Sequence, residues 1–217
     1  MSDSPEASPA VDAALGNAAP VAATRKRPRP GERRVQILQT LARMLEQPGA
    51  ERITTAALAA RLAVSEAALY RHFASKAQMF EGLIEFIETS VFSLVNQITE
   101  REASGAVQAQ KMVVVLLQFG EKNPGMTRVM VGDALVFEHE RLSARMNQFF
   151  DRLESQLRQS LRAGAEAAGS ATPTVDAQAL ASALTALVVG RLQRYARSGF
   201  KRLPTEHLEP ALQRLTT

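Results

Sequence analysis

Tyr70, Arg71 and His72 stand side by side in the string LYRHFASK, with Lys76 closing it. A phenol, a guanidinium, an imidazole and an ammonium grouped in this way position a protein on phosphates. Just upstream, Ser65, Glu66 and Ala67 open the same short segment. Small side chains there, Ala67 and Ala68, let a helix approach base edges in a major groove. Thr54 and Thr55 mark the start of the preceding Ala/Leu segment, where hydroxyls can hold phosphates. Thr54, Thr55, Ser65, Glu66, Ala67, Tyr70, Arg71, His72 and Lys76 are therefore the candidate DNA surface, with Glu66 and Ala67 facing the bases. An amphipathic turn of a helical bundle is the plainer alternative, but it does not account for capping, spacing and cationic rim together.

The elements that must carry these groups are two short helices and a long one. Threonine is a good N-cap, and the segment after Thr54 and Thr55 runs to Leu62. Ala63, Val64 and Ser65 form a turn, and Ser65 caps a second helix over Glu66 to His72, with Leu69 packing back on Leu58 and Leu62. Ser75 with Gln78 three residues on makes a capping box for a third helix. This is the layout of a helix-turn-helix. A first helix, Glu32 to Glu46, carries the stripe Ile37, Leu38, Leu41, Met44 and Leu45, stops at Gln47-Pro48-Gly49, and completes a three-helix headpiece.

Residues 1–24 hold Asp3, Glu6 and Asp12 and no Lys or Arg, so the rest of the chain carries +7. The Ala/Ser/Pro-rich start reads as a disordered tail. Arg25, Lys26, Arg27, Arg29, Arg33 and Arg34 follow as a basic arm. Such an arm can track a DNA backbone or enter a minor groove, or simply solubilise the tail.

The string VSEAALYRHFASK resembles the DNA-binding signature of the TetR family. A longer likeness runs from about Glu32 to Phe200. It is carried by RITTAALAARLAVSEAALYRHFASKAQMFEGLIEFIE, FGEKNPGMTRVM, FE and RMNQFFDRLESQLRQSLR, and it is to a nucleoid-occlusion branch of that family. The resemblance implies an all-α, TetR-like fold of about nine helices. A tail with basic arm would occupy 1–30, the helix-turn-helix domain 31–75, and a helical dimerisation and partner-binding domain 76–217. It further implies a homodimer on palindromic double-stranded DNA, loading as more than one dimer per site, that antagonises assembly of the division protein FtsZ. The FtsZ C-terminal tail would dock near helices four and five. Phe86 would be its apolar anchor, with Lys122 and Asn123 on the opposite wall. Two departures from the family pattern lie there: Leu94 stands where an arginine is expected, and Gln118 where a glycine is expected. Many relatives have glycine at the turn position of Ala63, which would add strain on the order of 1 kcal/mol if that residue is left-handed.

Helical periodicity continues through the body. Lys76 to about Glu100 forms a long helix whose core stripe is Phe80, Leu83, Ile84, Ile87, Val91, Leu94, Val95 and Ile98. Phe86 falls at its margin and Phe92 opposite, so each stands open to solvent, to burial by a later helix or to a partner. Lys111 to Gly120 is apolar all round, as in a central buried helix. A short helix follows over Met126 to Val136, then His139 to Arg162, Asp176 to Ser198 and Thr205 to Leu215. The stripes of the seventh and eighth helices are wide enough to bury a second copy, with Leu184 and Leu187 as candidate dimer contacts. The alternative is that both stripes are used within one subunit.

Catalysis finds no support. There is no Gly-rich phosphate loop, GxSxG elbow or HExxH, and the three histidines are scattered. Neither catalytic nor metal-binding residues nor a cofactor is assigned. Glu138-His139-Glu140 reads as a solvated helix start rather than a ligand set. With no cysteine and no basic residue before Arg25, a cytoplasmic protein without a signal sequence or membrane anchor is expected, and the resemblance implies that it is nucleoid-associated. The alternative function is a ligand-responsive TetR-type repressor. That needs a cavity with converging polar groups, where Met112 to Leu117 reads as space-filling core.

Overall fold

The computed structural model describes residues 31–47 and 52–216. The tail, the basic residues before Gly31, and the Pro48-Gly49 stop lie outside them. Among the described residues the elements are all helical. They are α1 (Glu32–Leu45), α2 (Thr55–Leu62), α3 (Glu66–Tyr70), α4 (Lys76–Arg101), α5 (Gly105–Lys122), α6 (Pro124–Met130), α7 (Glu140–Ala167), α8 (Pro173–Arg197) and α9 (Leu208–Leu215). A 3-10 turn, Asp133–Leu135, follows α6.

The starts of α2, α3 and α4 are each made by a hydroxyl, while α1 begins after Gly31 with no side-chain cap. Thr54 Oγ1 accepts from Ala57 N at 3.1 Å, Ser65 Oγ from Ala68 N at 3.3 Å, and Ser75 Oγ from Gln78 N at 3.2 Å. Gln78 Oε1 reaches back to Ala74 N at 2.8 Å, one residue before the cap itself. Ala63 is left-handed (φ 52°, ψ 49°) and ends α2. Ile37, Leu41, Leu45, Leu58, Leu69 and Phe73 are almost fully buried between the three helices. Each such side chain contributes about 1.5–3 kcal/mol.

Helix α4, about 39 Å long at ~1.5 Å per residue, leaves the headpiece and crosses the body. It is covered on two sides, and this corrects the single-stripe expectation. Phe92 is buried, not exposed: its ring meets Phe149 of α7 edge-on at 5.3 Å, and the Arg152 guanidinium lies 3.9 Å from its centroid. Glu81 and Glu88, on the same side of α4, accept from Arg141 (2.8 Å) and from both Arg145 donors (3.0 and 2.5 Å). The hydrogen bond that Arg145 donates to Glu88, opposed by burial and helped by the charges of Glu88, Glu85 and Glu81, raises the Arg145 pKa above its ordinary value. Leu94, expected in the core, is instead 37% exposed, although Leu83 and Ile87 on the same side of α4 are fully buried.

Helix α5 is not buried all round either. Ala109, Met112, Val113, Leu116 and Leu117 face inward, while Lys111 and Gln118 are exposed and Val114 and Val115 half-buried. Pro124 opens α6 at its first turn, where a missing N–H costs nothing, so the helix begins earlier and ends sooner than its periodicity suggests. Gly125 lets α6 lie directly on α1: a Cβ there would stand 2.0 Å from the Ala42 carbonyl oxygen. Headpiece and body consequently share one continuous core.

Helices α7 and α8 pack along their lengths through Leu142, Met146, Phe149, Leu153 and Leu157 against Ala177, Ala181, Leu184, Val188 and Leu192. Leu184 is 0% exposed within one protomer. It is therefore a core residue and not a position where a second copy can seat. Leu187 is only partly buried.

Candidate nucleic-acid interface and partner groove

The turn between α2 and α3 brings their first residues together. Thr55 Oγ1 donates to Glu66 Oε2 at 2.5 Å, and the Tyr70 hydroxyl stands 3.5 Å from Thr55 Oγ1. A residue from the start of α2 and two from α3 thus form one exposed polar unit. Thr54, Ser65, Ala67, Arg71 and His72 are exposed as well, so of the nine sequence-derived positions seven are exposed and Thr55 and Lys76 are half-buried. Glu66 is constrained by Thr55, which gives its carboxylate a defined orientation.

Lys76 differs. It is half-buried, its ammonium is bonded to Glu138 of the loop before α7, and it stands 5.7 Å from the Phe80 centroid. Arg34, placed in the basic arm by sequence, also works inside the fold. Its guanidinium covers Phe73 at 4.2 Å and Nη1 donates to the His72 carbonyl at 3.0 Å. That contact fastens the start of α1 to the end of α3. His139 caps α7 by accepting from Arg141 N on Nδ1 at 3.2 Å.

A second surface lies farther along α4. Phe86 is ten residues past Lys76, about 15 Å along the axis, and is 48% exposed. Its ring pairs with Phe119 of α5 at 6.4 Å. Phe119 itself was not legible as a site residue. The signal that finds it is that α5 returns antiparallel to α4, bringing the two rings level. Val115, Gln118 and Lys122 share the Phe119 side of α5 at helical spacing, and Leu94 is exposed two turns beyond Phe86, about 80° round α4. Asn123 stands at the end of this wall but is already engaged: its Nδ2 donates to the Phe119 carbonyl at 2.8 Å.

A profile described as a tetracyclin repressor-like C-terminal domain of SlmA-like type matches residues 104–217, and one for bacterial regulatory proteins of the tetR family matches 37–83. The nucleoid occlusion factor SlmA of Aliivibrio fischeri ES114 is 54% identical over 181 residues, covering 83% of this chain and 92% of that protein. The chain belongs to the SlmA family. The SlmA of Vibrio cholerae is 52% identical over 178 residues, 82% of this chain and 90% of its own length. Among solved structures, the TetR family regulator PfmR of Thermus thermophilus superposes with a TM-score of 0.68 at 20% identity, covering 83% of this chain and 97% of that one. The ketosteroid regulator KstR2 of Mycobacterium tuberculosis gives 0.66 at 19%, covering 86% and 94%. These two share the fold. SlmA and TetR-type regulators are non-enzymatic DNA-binding proteins.

Proposed function

We propose that the protein is a dimeric, sequence-specific DNA-binding nucleoid occlusion factor that antagonises FtsZ assembly over the chromosome, with its DNA surface at α2–α3 and its FtsZ-tail groove between α4 and α5. The observation that carries this reading is the arrangement along α4. A capped helix-turn-helix with an exposed Arg71 stands at one end, and an exposed Phe86, paired with the half-buried Phe119 three residues from Lys122, lies about 15 Å along α4 from Lys76. Kinship at 54% identity to nucleoid occlusion factors supports both halves.

The groove suits an extended peptide that is apolar and acidic. Phe86, Val115 and Leu94 offer apolar surface, and Lys122 offers a cation. Asn123 acts through the wall it caps. With Leu94 and Gln118 in place of an arginine and a glycine, the groove is longer in apolar surface and poorer in charge.

The dimer contact moves from Leu184 to the other side of α8. There Val175, Ala179, Ser182, Ala183, Ala186 and Gly190 are exposed at helical spacing. This helix has a mean hydropathy of 1.3 over its most apolar window, yet only a third of that window is buried in one protomer. Small side chains permit close approach of a second α8, and α7 and α8 from two subunits would make a four-helix interface. A two-fold dimer would bind two half-sites.

Selecting bound duplexes from random DNA with purified protein tests the proposal. A palindromic consensus with half-sites about one helical turn apart is expected. Enrichment of no sequence, or of a non-palindromic one, would remove the DNA half of the reading.

A further inference from the structure

The helix-turn-helix, residues 53–75, is bracketed by two cations, Arg52 before it and Lys76 after it. Consecutive residues of one body loop hold both. Arg52 stacks its guanidinium 4.5 Å from the centroid of Phe137, and Lys76 is bonded to the carboxylate of Glu138. The Glu138 side chain is 8% exposed, so the ion pair is sheltered from solvent on the carboxylate side. Such a pair is costly to break, because one buried charge is left without a partner. Phe137, by contrast, is 57% exposed, and the preceding Val136 69%. Packing does not explain why these residues stand where they do. The loop begins at the 3-10 turn Asp133–Leu135, which is anchored in the core by Ala134 and Leu135.

We propose that Phe137 and Glu138 form a clasp that sets the orientation of the DNA-reading unit relative to the body, and so sets the half-site spacing the dimer accepts. The two held cations lie at the two ends of the unit, so together they resist rotation that a single contact would allow. Lys76 keeps N–H donors beyond the one given to Glu138, and holding it directs the remaining donors outward to a phosphate. Glu138 and Phe137 are positioning residues: they act on DNA through Lys76 and Arg52 and touch no base. The loop leads straight into α7 through the His139 cap. The same loop therefore ties the headpiece to the helix that pairs with α8.

This inference rests on the DNA-binding reading, and its test separates the two. The probes are the palindromic duplex selected by the wild-type protein and the same duplex with one base pair inserted at its centre. Wild-type protein is expected to bind the first and discriminate strongly against the second. In the double variant Phe137→Ala, Glu138→Gln the penalty for the insertion should shrink by roughly fivefold or more, with a lowered Tm, a protein still folded at assay temperature and a salt slope little changed. Phe137→Trp and Glu138→Asp should each retain discrimination. A double variant that keeps the wild-type penalty would overturn the clasp while leaving DNA binding intact. One that binds more tightly with a steeper salt slope would also overturn it, since Glu138 would then be a competitor for Lys76. Failure of the wild-type protein to bind any selected duplex would overturn the DNA reading itself, and the clasp with it.

Discussion

Phe86→Ala is the substitution that isolates the partner groove from the rest of the molecule. A phenyl side chain buries roughly 150–250 Å² when fully covered, and Phe86 is 48% exposed in the protomer. About 100 Å² therefore remains for a bound peptide, worth ~2.5 kcal/mol at ~25 cal/mol per Å². Incomplete cover brings this to about 2 kcal/mol, or about thirtyfold in Kd. The other half of the ring rests against Phe119 at 6.4 Å, so the fold loses about 1–2 kcal/mol and the Tm falls by several degrees. The variant stays folded at assay temperature. It is titrated against a fluorescent FtsZ C-terminal peptide and, separately, against labelled operator duplex. The expected result is peptide affinity down about thirtyfold and DNA affinity unchanged. Loss of both would make Phe86 merely structural, and retention of both would remove it from the groove.

Arg71→Ala takes one exposed cation from the DNA face. Operator affinity should fall and the salt slope should become shallower by roughly one unit; an unchanged slope would take Arg71 off the phosphate path. Ala186→Arg should give monomers in sedimentation and weaken palindrome binding, whereas Leu184→Ala should keep the dimer and cost the fold about 2–5 kcal/mol in thermal unfolding; the reverse pattern would return the interface to Leu184. Burial, then the charges of Glu121 and Glu46, raises the Tyr195 phenol above its ordinary value of 10.0. The stability this contributes is fully present below that value and is lost as pH rises through the folded-state value. Tyr195→Phe should flatten the alkaline limb of the stability–pH curve and remove the hydrogen bond to the Glu121 carbonyl, 3.0 Å long; an unaltered alkaline limb would show that the phenol does not titrate with unfolding.

Much of the headpiece was legible because its signals are local. A hydroxyl at Thr54, Ser65 or Ser75 caps the helix that begins next to it, and the three-residue turn follows from their spacing. What failed needed two helices at once. Periodicity along α4 assigns one buried stripe, but Phe92 is buried because α7 lies on a second side, and Leu94 is exposed farther along the stripe that buries Ile87. The apolar run in α5 hides an exposed side that exists only because α4 does not cover it. Leu184 looked like interface because a single stripe cannot say whether its partner is the same chain or another. Arg34 and Lys76 read as free cations in sequence, while their partners, Phe73, His72 and Glu138, lie about forty to sixty residues away.

In the proposed function one helix, α4, carries the DNA-reading unit at its start and the partner groove two to three turns later, with no shared residue. The direct measurement is a titration of labelled FtsZ C-terminal peptide onto a preformed complex of the dimer with its operator duplex, reading peptide and DNA occupancy together. The account predicts that peptide saturates the complex while the DNA stays bound. Displacement of the DNA by the peptide, or no peptide binding with or without DNA, would contradict it.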